Sequence, residues 1–203
     1  MLAGVEIQIW SDVVCPWCYI GTSNLRKALA GTQATVTFRS FLLDPNGPTE
    51  PVPTLEYLSA KYGPQAAQMM DNVTQVAAKA GLEYHLDRSW SGPTLDAHRL
   101  LHWAHTMGVQ DALALRFFAA QFTEGRSLFA ADSLVGLCSD VDLDPDATRK
   151  VLDSEDYTDA VDADLALARR YGITGVPFFV FNDRLAVSGA QPPEVFTQAL
   201  AQA

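Results

Sequence analysis

Ser11-Asp12-Val13-Val14-Cys15-Pro16-Trp17-Cys18-Tyr19-Ile20-Gly21 decides how this chain is read, because two cysteines frame a proline where one periodicity gives way to another. Upstream, Val5-Glu6-Ile7-Gln8-Ile9-Trp10-Ser11-Asp12 begins by alternating apolar and polar residues and is rich in β-branched and aromatic side chains. That predicts a strand over residues 5–12. Downstream, Trp17, Ile20, Leu25 and Leu29 recur at helical spacing, Arg26 and Lys27 come late in the run, and Gly31 follows where a left-handed cap belongs. That predicts a helix of about four turns. Pro16 suits the first helical position, since its missing N–H had no intrahelical partner. Cys15 is thus expected at the helix N-terminus, beside unpaired N–H groups and the positive end of the dipole, a location that stabilises a thiolate. Cys18 returns to the same helix face, so the two sulfurs can bridge.

A dithiol so placed supports two-electron exchange. A thiolate at Cys15 attacks a disulfide, forms a mixed disulfide and is displaced by Cys18; run backwards, the oxidised pair delivers a disulfide. The chain has three cysteines, too few for a disulfide scaffold. Scattered at random they would give a pair at this spacing only about 3% of the time. A zinc or iron–sulfur clip wants about four ligands, and Cys138 alone cannot complete a second pair, so no metal is expected.

Outward from the motif, residues 34–43 read as a second strand, followed by the turn signal Asp44-Pro45-Asn46-Gly47-Pro48. Strand, helix, strand makes a right-handed parallel unit. From Thr54 to about Gly172 the pattern is helix after helix, punctuated by Gly63, Gly81, Gly108, Gly125 and Gly172. Pro177-Phe-Phe-Val-Phe-Asn182, a turn at Asn182-Asp183 and Leu185-Ala-Val-Ser188 then predict a β-hairpin, and Pro192-Pro193 open a last helix. The 203 residues, 48% apolar, suffice for one compact unit with an insertion. A formal charge of −10 argues against nucleic acid and anionic lipid as partners. No apolar run approaches the length of a membrane span, and the N-terminus lacks an export signal, so a cytoplasmic protein is expected.

The same residues carry a family resemblance. The stretch from Ser11 to Gly21, Gly175-Val176-Pro177-Phe178-Phe179 and Ser188-Gly189-Ala190-Gln191-Pro192 resemble the DsbA-type thioredoxin-fold oxidoreductases, most closely the FrnE-like branch. Leu95-Asp96-Ala97-His98-Arg99-Leu100 also looks like a family segment. The resemblance implies an α/β thioredoxin fold, a mixed central sheet flanked by helices, built from residues 1–50 and 173–203 and split by a helical insertion over 51–172. It further implies a cis Val176–Pro177 bond, with Pro177 facing Cys15 and the Val176 backbone pairing with a bound thiol or peptide. Read alone, Pro177 would simply start an edge strand. The expected activity is thiol:disulfide exchange, with Cys15 as nucleophile, Cys18 as resolving thiol, and Pro16, Trp17, Val176, Pro177, Gly189 and Gln191 contacting a protein or small-molecule substrate. No cofactor need be bound, although glutathione is a candidate co-substrate. Pro16-Trp17 supplies bulk but no cation, so a reduction potential between those of thioredoxin and DsbA is expected. Kappa-class glutathione transferases and 2-hydroxychromene-2-carboxylate isomerases share the architecture but carry serine at the first cysteine position. They define a second reading, and a non-catalytic binding module a third. Monomer and homodimer both stay open.

His98, His102 and His105 share one predicted helix at i, i+4 and i+7. With no evident carboxylate or cysteine to complete a metal site they read as core or partly exposed histidines, His98 nearest the cleft. Cys138, amid Leu134, Val135 and Leu137, reads as a small buried hydrophobe, and Phe117, Phe118 and Phe122 as insertion core. The acidic stretch from Asp140 to Asp164 reads as a solvated helix face.

Overall fold

The computed structural model describes residues 4–203. Its centre is a four-stranded sheet in the order β2-β1-β5-β6. β1 (Val5–Ser11) and β2 (Ala34–Ser40) run parallel, in register from Val5 opposite Ala34 to Ser11 opposite Ser40. They are joined over one face by α1 (Pro16–Ala28), the crossover that a parallel pair requires. β5 (Phe178–Phe181) lies antiparallel to β1, and β6 (Leu185–Ser188) antiparallel to β5. The hairpin between them turns through Asn182 and Asp183, whose φ values of 48° and 55° are those a two-residue primed turn demands.

Both faces of the sheet are covered, and alternation along the strands supplies a side chain to each. Ile7, Ile9, Phe179 and Phe181 point to the face where α1 and the closing helix pack, and there the Phe179 and Phe196 rings meet edge to face at 4.7 Å. Trp10 and Val180 point the other way, into a smaller cluster with Ala168 and Ile173. The second strand was expected to run to Leu43 and the first to Asp12, but pairing stops at Ser40 and Ser11. The physical reason lies in Asp12. The Phe41 N–H still reaches the Ser11 carbonyl at 3.1 Å, but the Asp12 carboxylate Oδ2 then accepts the Leu43 N–H at 2.8 Å, so a side chain takes the next ladder donor.

Between β2 and β5 come α2 (Thr54–Tyr62), α3 (Gln65–Lys79), α4 (Leu95–Thr106), α5 (Gln110–Ala119), α6 (Ala131–Ser139), α7 (Pro145–Leu152) and α8 (Thr158–Arg170). A two-residue ribbon, β3 (Val52–Pro53) with β4 (Trp90–Ser91), interrupts this helical run, which the sequence reading left without strands. α5 continues into one π-helical turn over Ala120–Glu124, and α9 (Pro193–Gln202) closes the chain. The aromatics expected in the helical core are there: Phe117, Phe118 and Phe122 are buried, and Tyr19 of α1 stacks on Phe118 at 5.3 Å.

Much of the acidic stretch is solvated, but Asp164 on α8 is an exception, being buried. Its carboxylate accepts from the Ser40 N–H at 2.8 Å and from Arg39 Nη1 at 3.1 Å, and it lies 3.0 Å from His102 Nε2. Its backbone carbonyl accepts from the Trp10 indole at 3.2 Å. One buried carboxylate thus joins α8, α4 and the edge of the sheet.

Candidate functional site

Cys15 is the N-cap of α1, with extended backbone at φ −89° and ψ 110°, and Pro16 follows at the first helical position. The turn into the helix is closed by backbone bonds from the Cys15 N–H to the Asp12 carbonyl and from the Cys18 N–H to the Cys15 carbonyl, both 3.0 Å. Tyr84 donates its hydroxyl to the Pro16 carbonyl at 2.6 Å and so ties the motif to the helical segment. Both cysteines are thiols. Cys15 keeps 3% of its surface and lines a groove of about 690 Å³, whereas Cys18 has none and lies behind it. Burial pushes the Cys18 thiol well above its ordinary value of 9.0, and a hydrogen bond and the charge of Cys15 push the same way. Weaker contacts with the Ser11 side chain and the Asp12 backbone act in the opposite direction. The pair is therefore asymmetric: Cys15 reaches the groove, and Cys18 lies behind it with its thiol pushed up by burial.

The Val176–Pro177 bond is cis. It brings the Val176 carbonyl within 3.6 Å of the Cys15 Sγ, which donates to it. Gly21 makes this approach possible. A Cβ there would lie 2.9 Å from Pro177 Cγ and 3.1 Å from the Phe179 ring, so any side chain on this face of α1 would push the cis-proline loop away. Gly21 stands in the motif as quoted from the sequence, yet helical spacing gives no sign of this contact.

Pro16, Trp17 and Val176 line the groove with Cys15, and Trp17 is 42% exposed at its rim. Pro177 and Gly189 instead line a smaller hollow on the other side of the loop, where the Gly189 N–H donates to the Pro177 carbonyl at 2.8 Å. Gln191 reaches neither. Its side chain donates to the Ser188 carbonyl at 2.9 Å, and its own carbonyl accepts from Asn24 of α1 at 3.0 Å, so it fastens the final loop to the helix.

The three histidines part company. His105 is exposed. His98 is buried and faces the Asp12 carboxylate at 3.4 Å, which places it directly behind the motif. His102 contacts Ser40 Oγ at 3.1 Å and Asp164 Oδ2 at 3.0 Å. Both contacts fall on the same ring nitrogen and Ser40 is buried, so this Ser-His-Asp set cannot relay a proton through the ring as a hydrolase does. Asp12 and Asp164 are the carboxylates that the sequence did not bring to these histidines, because the partners are 86 and 62 residues apart. Among the described residues, no group of three or more His, Cys, Asp or Glu side chains is arranged to hold a metal ion. Cys138 is buried, as expected, and burial raises its thiol to about 12.

Residues 6–201 match the model of the DSBA-like thioredoxin domain. A probable DsbA oxidoreductase of Streptomyces coelicolor superposes with a TM-score of 0.92 at 43% identity, covering 98% of this chain and 89% of that one. The uncharacterized protein YwbO of Bacillus subtilis is 29% identical over 97% of this chain and 96% of its own length. The cytosolic disulfide reductase DsbM of Pseudomonas aeruginosa, solved with glutathione, shares the fold at a TM-score of 0.68 and 20% identity, covering 97% of this chain and 98% of its own. A thioredoxin-fold sheet with a dithiol at its first strand-to-helix turn, in a chain matched almost from end to end, makes this protein a member of the DSBA-like thioredoxin domain family.

Proposed function

We propose that the protein is a thiol:disulfide oxidoreductase of the FrnE-like branch in which Cys15 is the nucleophile and Cys18 the resolving thiol. The carrying observation is the asymmetry of the pair: Cys15 opens onto the groove from a helix N-cap, and Cys18 is fully buried behind it with its thiol pushed up. In the reducing direction, the Cys15 sulfur attacks one sulfur of a substrate disulfide. The S–S bond breaks, a Cys15–substrate disulfide forms, and the departing thiolate takes a proton. Cys18 then loses its proton and attacks Cys15 Sγ, which releases the second substrate thiol and leaves a Cys15–Cys18 disulfide. Two electrons pass from enzyme to substrate, and the reverse sequence oxidises a dithiol. The Val176 carbonyl, already within reach of the nucleophile, is the backbone edge that orients the attacked sulfur. An external thiol or disulfide resets the pair, and the cytoplasm is the compartment that supplies thiols.

Equilibration in thiol/disulfide buffers, followed by assays of insulin reduction and oxidative refolding, tests this reading with wild type, Cys15→Ser and Cys18→Ser. Loss of turnover in both variants is expected, with a persistent mixed disulfide in Cys18→Ser alone. Unchanged insulin and refolding activity without Cys18 would overturn its resolving role, and unchanged cellular function without Cys15 would point to a binding module.

A further inference from the structure

The groove in front of Cys15 is walled by the start of α1, the loop after β2, helices α2 and α3, and the strip from Ser89 to Leu95. Two properties of this space bear on what enters it. Its rim gathers exposed apolar side chains: Trp17, Leu43, Tyr62, Met69 and Leu95 are 37–47% exposed and all line it, a concentration that solvent alone does not favour. Its charges do not suit an anion. The Lys61 ammonium is the one formal cation among the lining residues, and its Nζ is held 2.6 Å from Asp44, while Asp12 adds a second carboxylate.

Building on the dithiol reading above, we propose that this groove takes a low-molecular-weight thiol or disulfide with an uncharged aromatic body, and that it disfavours anionic thiols such as glutathione. The volume of about 690 Å³ lies within the roughly 300–1,000 Å³ of small-molecule pockets, and enclosure by several elements suits a compact occupant better than an extended polypeptide. The sulfur would sit at Cys15 and the ring among Trp17, Leu58 and Met70. Two carboxylates against one cation oppose the two carboxylates of glutathione.

Thiol exchange on Cys18→Ser measures this directly. Cys15–S–S–glutathione plus 4-hydroxybenzyl mercaptan gives Cys15–S–S–CH2–C6H4–OH plus glutathione. One S–S bond breaks, one forms, and no net oxidant is needed. Intact-mass spectrometry gives the equilibrium ratio, and a short unstructured cysteine peptide gives the intrinsic ratio for the same thiols. The protein should favour 4-hydroxybenzyl mercaptan over glutathione at least tenfold beyond the peptide. In the Cys18→Ser background, Leu58→Trp should fill the groove and bring that preference down towards the peptide's. Benzyl mercaptan, which has the ring without the hydroxyl, should be favoured over glutathione to a similar extent. Ratios equal to the peptide's, or a preference for glutathione, would overturn the proposal and leave the dithiol mechanism standing. An apolar cysteine heptapeptide outcompeting the benzyl thiols would also overturn it, in favour of a polypeptide groove. Failure of Cys15 to form a mixed disulfide with any thiol would instead strike the proposed function itself.

Discussion

At the residue scale Cys15 reaches the groove while Cys18 lies behind it with its thiol pushed up by burial, and the difference is measurable. Iodoacetamide at pH 7 should add one carbamidomethyl group to the reduced protein, at Cys15, while Cys18 and Cys138 stay unmodified until the chain unfolds. Peptide mapping by mass spectrometry checks the position, and prompt labelling of Cys18 would contradict its burial. Because Cys18 must lose a proton before it can displace the substrate, resolution of the mixed disulfide should be the step that accelerates as pH rises through 8 and 9. The hydrogen bond and charge of Cys15 vanish once that sulfur is in a mixed disulfide, but desolvation remains and keeps the resolving thiol protonated at neutral pH. Gly21 offers a second residue-scale test. Gly21→Ala places a methyl 2.9 Å from Pro177 Cγ and 3.3 Å from the Ala190 Cα, both in segments with little room to retreat. A loss of about 1–3 kcal/mol in urea unfolding is expected, accompanied by slower thiol exchange at Cys15 as the Val176 carbonyl is displaced. An alanine variant as stable and as fast as wild type would show that the loop tolerates the shift.

Elements were legible where their information is local. β1, α1 and the closing hairpin announce themselves through periodicity and punctuation, since alternation, Pro16 at the first helical turn and Asn182-Asp183 each act within a few residues of where they stand. The β3–β4 ribbon has two residues per strand and so has no period to read. The end of β2 is set by the Asp12 carboxylate, and the anchoring of α8 by Asp164, both through contacts that no window along the sequence contains. For the same reason the site was half legible. The Cys15–Cys18 pair is local chemistry, and Val176–Pro177 came through family resemblance, but Asp12 with His98 and the role of Gly21 emerge only once distant segments meet. The Asp164 junction yields its own prediction. Asp164→Ala removes the acceptor for the Ser40 N–H and for Arg39 together, and takes the carboxylate away from its place beside the His102 ring. Truncating one partner of such a buried set costs about 3–5 kcal/mol. Chemical denaturation should show a loss of that size for Asp164→Ala and a smaller one for Asp164→Asn, which keeps the oxygen facing Ser40. A loss below about 1 kcal/mol would mean that water replaces the carboxylate.

For the whole molecule, these buried acids couple redox state to alkaline stability. The folded chain holds Cys18 well above 9.0, Cys138 at about 12 and Tyr84 above its ordinary 10.0, all three principally through burial. An unfolded chain ionises each of these groups near its ordinary value. Between the unfolded and folded values the native state therefore retains protons that the unfolded state has released. Stability is then full below about pH 8.5 and falls as pH rises, by about 1.4 kcal/mol per pH unit for each such group. In the reduced protein both Cys18 and Cys138 contribute above pH 9, and the tyrosine joins above pH 10. Oxidation ties Cys18 into the bridge and removes its proton from both states, so the oxidised protein should lose stability at roughly half the rate between pH 9 and 10. Urea titrations of reduced and oxidised protein across pH 8–10.5 would give two slopes, and Cys138→Ala should flatten both by the same amount. The gap between them isolates Cys18, and parallel slopes would show that its proton is not held by the fold, removing the asymmetry on which the assignment of nucleophile and resolving thiol depends.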